Sequence, residues 1–99
     1  MSEQKHRYLI AYDIPDDARR ARFAAYLQSF AVRIQYSVFV ADLRPGRFVR
    51  LRSGMERLID AAADSVLLCH LGPAAARGND ALQWIGRDRP TPPSGSLIV

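Results

Sequence analysis

The first apolar run, Arg7-Tyr8-Leu9-Ile10-Ala11-Tyr12, stops abruptly at Asp13. Its length, aromatic and β-branched content and polar stop predict a buried strand. Ile14-Pro15-Asp16-Asp17 reads as a turn and helix start. Proline is tolerated in a first turn, and early aspartates suit the positive end of a helix. From about residue 16 to 30 the period is helical, with Phe23, Leu27 and Phe30 on one face and Arg19, Arg22 and Tyr26 in an adjacent stripe. Val32 to Val40 alternates apolar and polar until Phe39, after which apolar residues occupy both faces as far as Leu43. That pattern fits one long strand, or two short ones with a bend near Tyr36-Ser37. After a turn at Arg44-Pro45-Gly46, a second helix is predicted from about Arg47 to Asp60. Its apolar stripe is Phe48, Leu51, Met55, Leu58 and Ile59, and Arg47, Arg50 and Arg57 share another face.

Asp64 to Leu71 is a third extended stretch, followed by a glycine- and alanine-rich loop over 72–80 and a short strand at Leu82-Gln83-Trp84-Ile85. Three prolines between Arg87 and Gly95 predict an extended linker, which ends in the apolar Leu97-Ile98-Val99. Two amphipathic helices against three or four strands give an α+β, two-layer sandwich. The order becomes ferredoxin-like βαββαβ if residues 32–43 supply two strands. The expected organisation is a ferredoxin-like domain over 1–86 and a tail over 87–99 that adds an extra C-terminal strand to a partner protomer's sheet edge.

With 99 residues there is room for one core. A lone cysteine, Cys69, excludes an internal disulfide and a cysteine-ligated zinc site within one chain. No apolar run approaches the roughly 20 residues of a membrane span, and the polar opening does not resemble a signal peptide, so a soluble, cytoplasmic protein without membrane contact is expected. Charge adds the first functional hint. Fourteen basic residues, thirteen of them arginine, face ten acidic ones. Residues 1–57 carry a net +5 (eleven basic, six acidic) and residues 58–99 a net −1 (three basic, four acidic). Arginine forks suit phosphate oxygens, which points to a polyanion; a solvated basic surface is the plainer reading.

Gly-rich phosphate loops and metalloprotease or nucleophile-elbow motifs are absent. His70 and Cys69 are consecutive in an extended stretch and therefore point to opposite faces, which argues against a shared ligand role. Trp84 reads as core or interface filler. Asp13, directly after a buried strand, admits two readings: a ligand for a divalent cation or a general base, and a turn or cap aspartate. A two-fold dimer would place a second Asp13 across the axis and double the donor set.

Two blocks narrow the choice. Tyr8-Leu9-Ile10-Ala11-Tyr12-Asp13-Ile14-Pro15-Asp16-Asp17-Ala18-Arg19-Arg20 resembles the opening strand, Y-D-I turn and basic helix of the small CRISPR-associated adaptation endonuclease family. Arg33-Ile34-Gln35-Tyr36-Ser37-Val38-Phe39 is similar to its R-[IV]-Q-Y-S-V-F block, and Asp64-Ser65-Val66 to the start of its later strand. The similarity covers about residues 7–71 strongly and the Leu97-Ile98-Val99 ending loosely. It implies a ferredoxin-like fold and a symmetric homodimer. Asp13 from each protomer would be the catalytic residue and hold Mg²⁺, or Mn²⁺ in its place. Arg20, Arg22 and Arg33 match family positions implicated in activity and would contact nucleic acid, while Tyr12 and Phe39 would shape the site. From their shared helix face, Arg47 and Arg50, with Arg57, would add phosphate contacts. The implied function is a metal-dependent endoribonuclease or double-strand deoxyribonuclease in spacer acquisition for antiviral defence, partnered by a CRISPR integrase subunit. The alternatives are a non-catalytic DNA-binding scaffold between integrase dimers and a toxin-like messenger-RNA interferase. The chain departs from the pattern in two places: the usual glycine ending the first helix is replaced near Ala31, where a left-handed cap would cost about 1 kcal/mol or more, and the loop over 72–80 is alanine-rich and lacks the expected polar character.

Overall fold

In a computed structural model, residues 4–77 and 81–87 are described. They form β1 (His6–Asp13), α1 (Asp17–Leu27), β2 (Val32–Gln35), β3 (Val38–Leu43), α2 (Pro45–Leu58), β4 (Ser65–Pro73) and a short α3 (Ala74–Arg77). The stretch 32–43 is therefore two strands joined by Tyr36-Ser37. The four strands form one antiparallel sheet in the order β2-β3-β1-β4, with both long helices packed on one face. This is the expected α+β, ferredoxin-like two-layer arrangement.

Local chemistry explains the boundaries. Asp16 caps α1, its carboxylate accepting the Arg19 N–H at 2.8 Å. At the other end no left-handed residue is used. Gln28 stays helical, and the N–H groups of Phe30 and Ala31 both donate to the Leu27 carbonyl at 2.9 Å. The replaced glycine thus carries no strain, because the chain leaves α1 through a tightened last turn. Helix α2 begins two residues earlier than its apolar stripe suggests, with Pro45 in the first turn and no side-chain cap from Arg44.

The core lies between helices and sheet: Ile10, Tyr12 and Phe39 from the strands meet Phe23 and Leu27 of α1 and Leu51 and Met55 of α2. Where the two helices cross, Tyr26 of α1 lies against Gly54, and its hydroxyl donates to the Arg50 carbonyl at 3.2 Å. Alternation sends the other side chains to the opposite sheet face, where Leu9, Val32, Ile34, Val38 and Val40 form a second apolar cluster. Arg7 and Asp42, cross-strand partners in β1 and β3, are also buried. Arg7 donates to Asp42 through Nε at 2.7 Å and through Nη2 at 2.8 Å.

Two expectations are corrected. The region 72–80 is not simply a loop, since β4 runs to Pro73 and residues 74–77 are helical. The bulge beside Leu71 and the positive φ of Gly72 (95°) let β4 bend there while still pairing with β1. Nor is Leu82-Gln83-Trp84-Ile85 a strand. Leu82 and Trp84 instead lie across the second apolar cluster, so their hydrophobicity serves packing rather than pairing. The expected extra strand at Leu97-Ile98-Val99, and the tail beyond Arg87, lie outside the described residues.

Candidate functional site

Asp13 ends β1 opposite Ser65 of β4, with its side chain exposed. Tyr8, Ile10 and Tyr12 face the helices, so Leu9, Ala11 and Asp13 belong to the other sheet face. Three sets of interactions hold this end of the sheet.

Tyr12 is the first. It is buried, meets Phe23 edge-on at 4.8 Å between ring centroids, and lies 6.2 Å from Phe39. Its N–H donates to the Ser37 carbonyl at 3.1 Å, which ties the β2–β3 turn to the end of β1. Its hydroxyl accepts from Arg33 Nη2 at 3.4 Å. The Arg33 guanidinium carbon lies 5.1 Å from the Phe39 ring centroid and 5.9 Å from that of Tyr36. Tyr12 and Phe39 therefore shape the platform on which Arg33 rests.

Arg20 braces the turn that follows Asp13. Its Nη1 donates to the Ile14 carbonyl at 2.8 Å and its Nη2 to Asp17 Oδ1 at 2.5 Å. Hydrogen bonding to Asp17 first, and to the Tyr36 hydroxyl second, holds its pKa above the ordinary guanidinium value.

The third set is a bidentate ion pair between Arg19 of α1 and Asp64, which directly precedes β4, at 2.5 and 2.8 Å. The Asp64 carboxylate also accepts the Asp60 N–H at 2.8 Å. The Arg19 hydrogen bonds dominate and hold its pKa below the ordinary carboxylate value. Because Ser65 faces Asp13, this pair clamps the strand beside it.

Between α1 and the edge strand β2, Tyr12, Asp17, Arg20, Gln28, Arg33 and Tyr36 line a pocket of about 390 Å³. Arg20 and Arg33 thus come together. The other predicted arginines do not join them. Arg22 and Arg50 are exposed on the helical layer. Arg47 donates to the Ser29 carbonyl at 3.0 Å and covers the Phe30 ring at 4.4 Å, pinning the start of α2 to the end of α1. Arg57 donates to Ser53 Oγ at 3.0 Å. His70 and Cys69 point to opposite faces, with His70 hydrogen-bonded to His6 at 2.6 Å.

Among the described residues, no group of three or more His, Cys, Asp or Glu side chains gathers to hold a metal ion. Asp13 supplies a hard oxygen donor of the type magnesium selects, but one chain offers a single such carboxylate, and the set fits the ion only if a second copy adds its own. Also among the described residues, no helix is long and apolar enough to cross a membrane.

The family described as CRISPR associated protein Cas2 matches residues 6–77. The chain belongs to the Cas2 family. It is 37% identical over 92 residues to CRISPR-associated endoribonuclease Cas2 3 of Synechocystis, covering 93% of this chain and 97% of the relative. It is 43% identical over 67 residues to a CRISPR-associated endoribonuclease Cas2 of Thermus thermophilus, covering 68% of this chain and 71% of the relative. Among solved structures, the hypothetical protein TT1823 from Thermus thermophilus superposes with a TM-score of 0.72 at 34% identity, over 88% of this chain and 96% of that one. Streptococcus pyogenes Cas2 at pH 6.5 shares the fold, with a TM-score of 0.71 at 24% identity over 81% and 99% of the two chains.

Within this Cas2-family frame, the sequence pattern misses three features. The Arg19–Asp64 clamp joins residues 45 apart, and only the aspartate that opens the Asp64-Ser65-Val66 block hints at it. Arg7–Asp42 hides inside two apolar strands, where charges flanked by apolar residues are the signal. Tyr36 falls in the apolar phase of the alternating stretch, with Val32, Ile34 and Val38, but stands exposed at the turn beside Arg20 and Arg33.

Proposed function

We propose that this Cas2-family chain is a Mg²⁺-dependent endonuclease that cleaves phosphodiesters as a homodimer, in the acquisition of new spacers for antiviral defence. The observation that carries this is the exposed Asp13 carboxylate at the end of β1, one residue beyond the tyrosine whose hydroxyl holds Arg33. The endoribonuclease names of the curated relatives support RNA as a substrate.

The dimer rests on the sheet face opposite the helices. Leu82 and Trp84 cover its apolar cluster at Ile34 and Val40, but Leu67 on β4 is 58% exposed, and Asp13 belongs to the same face. A second copy packed there would bring its own Asp13 toward the first and complete the donor set. Asp13 and its copy would hold Mg²⁺, which would supply Lewis-acid polarisation of the phosphodiester and activation of water at neutral pH. The chain's own residues do the rest. Asp13 holds the oxygen-ligand position. Arg33, raised on Phe39 and Tyr12, takes a flanking phosphate and offsets charge that develops there. Arg20 and the Arg19–Asp64 pair keep the Asp13 end of the sheet in place, acting as positioning residues.

The test is cleavage of labelled single-stranded RNA and duplex DNA, with Mg²⁺ and with EDTA, by wild type and Asp13→Ala, alongside light scattering for the oligomer. Metal-dependent cutting that vanishes in an Asp13→Ala dimer is the expected result. Cutting that survives in that variant refutes the mechanism. A second reading is favoured by Arg22 and Arg50, exposed on the helical layer, away from the face of Asp13. Here the dimer is a duplex-binding scaffold for an integrase, and salt-sensitive duplex binding without cleavage by either protein would select it.

A further inference from the structure

The pocket between α1 and β2 has features that a phosphate-backbone contact alone does not require. Tyr36 is 71% exposed at the tip of the two-residue β2–β3 turn. Turns of this length favour glycine, asparagine and aspartate, and nothing in their backbone chemistry asks for an aromatic ring. The ring stands beside a floor of small residues, Ala21, Ala24 and Ala25 of α1, which keeps the space open. At about 390 Å³ the pocket falls within the usual range of small-ligand sites, about 300–1,000 Å³.

The charges have a direction too. Arg20 is matched by Asp17, whereas Arg33 has no carboxylate partner among the described residues. Arg20, Arg33 and Asp17 leave a net single positive charge at the rim. Gln28 and the Tyr12 hydroxyl add neutral groups able to both donate and accept. A π platform, one unmatched guanidinium and an amide at the edge together describe a planar, hydrogen-bonding ligand joined to an anion, which is a nucleotide.

We propose that this pocket holds one unstacked nucleotide of a nucleic-acid strand, its base stacked on Tyr36 and its phosphate held by Arg33. The proposal rests on the nucleic-acid reading of the site and deepens it. It makes the pocket a selector of single-stranded or frayed substrate, since a base inside an intact duplex is already stacked and cannot reach Tyr36.

Binding of the full-length protein to a single-stranded RNA carrying one 2-aminopurine, and to a blunt duplex of the same sequence, tests this by anisotropy and by 2-aminopurine fluorescence, without divalent metal so that cleavage plays no part. Tyr36→Ala should weaken single-strand binding about 5- to 150-fold, as the loss of one stacked base predicts, and leave duplex binding unchanged. Tyr36→Phe gives up the hydroxyl bond to Arg20 but keeps the ring, so it should hold both affinities within a few-fold of wild type and retain the quenched fluorescence, which separates stacking from any effect of the substitution on folding. Equal weakening for strand and duplex, or an affinity and fluorescence indifferent to Tyr36→Ala, would overturn the pocket and leave the nuclease reading standing. Wild type that binds neither probe would remove both.

Discussion

The crossing of α1 over α2 sets a close contact that a single methyl group tests. Gly54 lies mid-helix in α2, a position where alanine is ordinarily better by about 1 kcal/mol. A Cβ placed there would come within 2.8 Å of Tyr26 Cε2 and closer still to the ring's Cζ and Oη. The ring cannot yield by rotating its tip. It must move as a body, which would break the hydroxyl bond to the Arg50 carbonyl and loosen its packing on Phe30. Forcing such overlap costs about 1–3 kcal/mol and the lost hydrogen bond about 1 kcal/mol more, against a propensity gain of about 1 kcal/mol. Gly54→Ala should therefore destabilise the fold by about 1–3 kcal/mol and lower the melting midpoint by about 5–20 °C. Gly46, near the start of the same helix, has nothing within 4 Å of its Cβ position, so Gly46→Ala should stabilise by about 0.5–1 kcal/mol. Urea and thermal melts followed by circular dichroism, at one fixed protein concentration, read both. If Gly54→Ala melts at or above wild type, the close approach of Tyr26 is wrong. The penalty should shrink when Tyr26 is also replaced by alanine, because the two sites share the contact.

Other outcomes follow from the charges. Asp42→Ala should destabilise by about 3–5 kcal/mol by leaving Arg7 buried without its bidentate partner, and the double substitution Asp42→Leu with Arg7→Met should recover much of it; chemical melts measure both. Asp64 has a folded-state pKa below its ordinary 3.8, so the stability it contributes is complete above that pH and is lost as pH falls through the folded value. Acid titration should show Asp64→Asn with a flatter loss of stability below pH 3.8 than wild type. If Arg22 and Arg50 contact phosphates, replacing either by alanine should reduce the slope of log affinity against log salt by about 0.7–0.9.

Much of the architecture is legible along the chain because its patterns are local. The helical stripe Phe23-Leu27-Phe30 and the run ending at Asp13 each carry one period over enough residues to declare their type. The break at Tyr36-Ser37 is legible only as one of two readings, because apolar residues on both faces of Val38–Leu43 erase the alternation that would separate two strands from one. Leu82 to Ile85 reads as a strand for the opposite reason: an apolar cluster looks alike whether it pairs its backbone or only covers a neighbour. At the site, Asp13 is visible as a carboxylate closing a strand. The partnerships of Arg19, Arg20 and Arg47 are set by tertiary contacts to Asp64, the Ile14 carbonyl and Phe30, and composition counts all three simply as positive charge.

The buried Arg7–Asp42 pair has a geometric consequence. Side chains on a strand change face with every residue, so a slip of β1 by a single position against β3 would carry Arg7 away from Asp42 and leave two charges facing apolar neighbours. From Tyr8 to Tyr12 the strand is apolar on both faces, so apart from the contacts of Tyr8 and Tyr12 with the helices hydrophobicity alone does little to oppose such a slip. The pair works as an alignment pin: with Arg7 seated, Asp13 is six residues further along and can emerge at only one height and on only one face of the sheet. Its position is thus measured from the far end of its own strand.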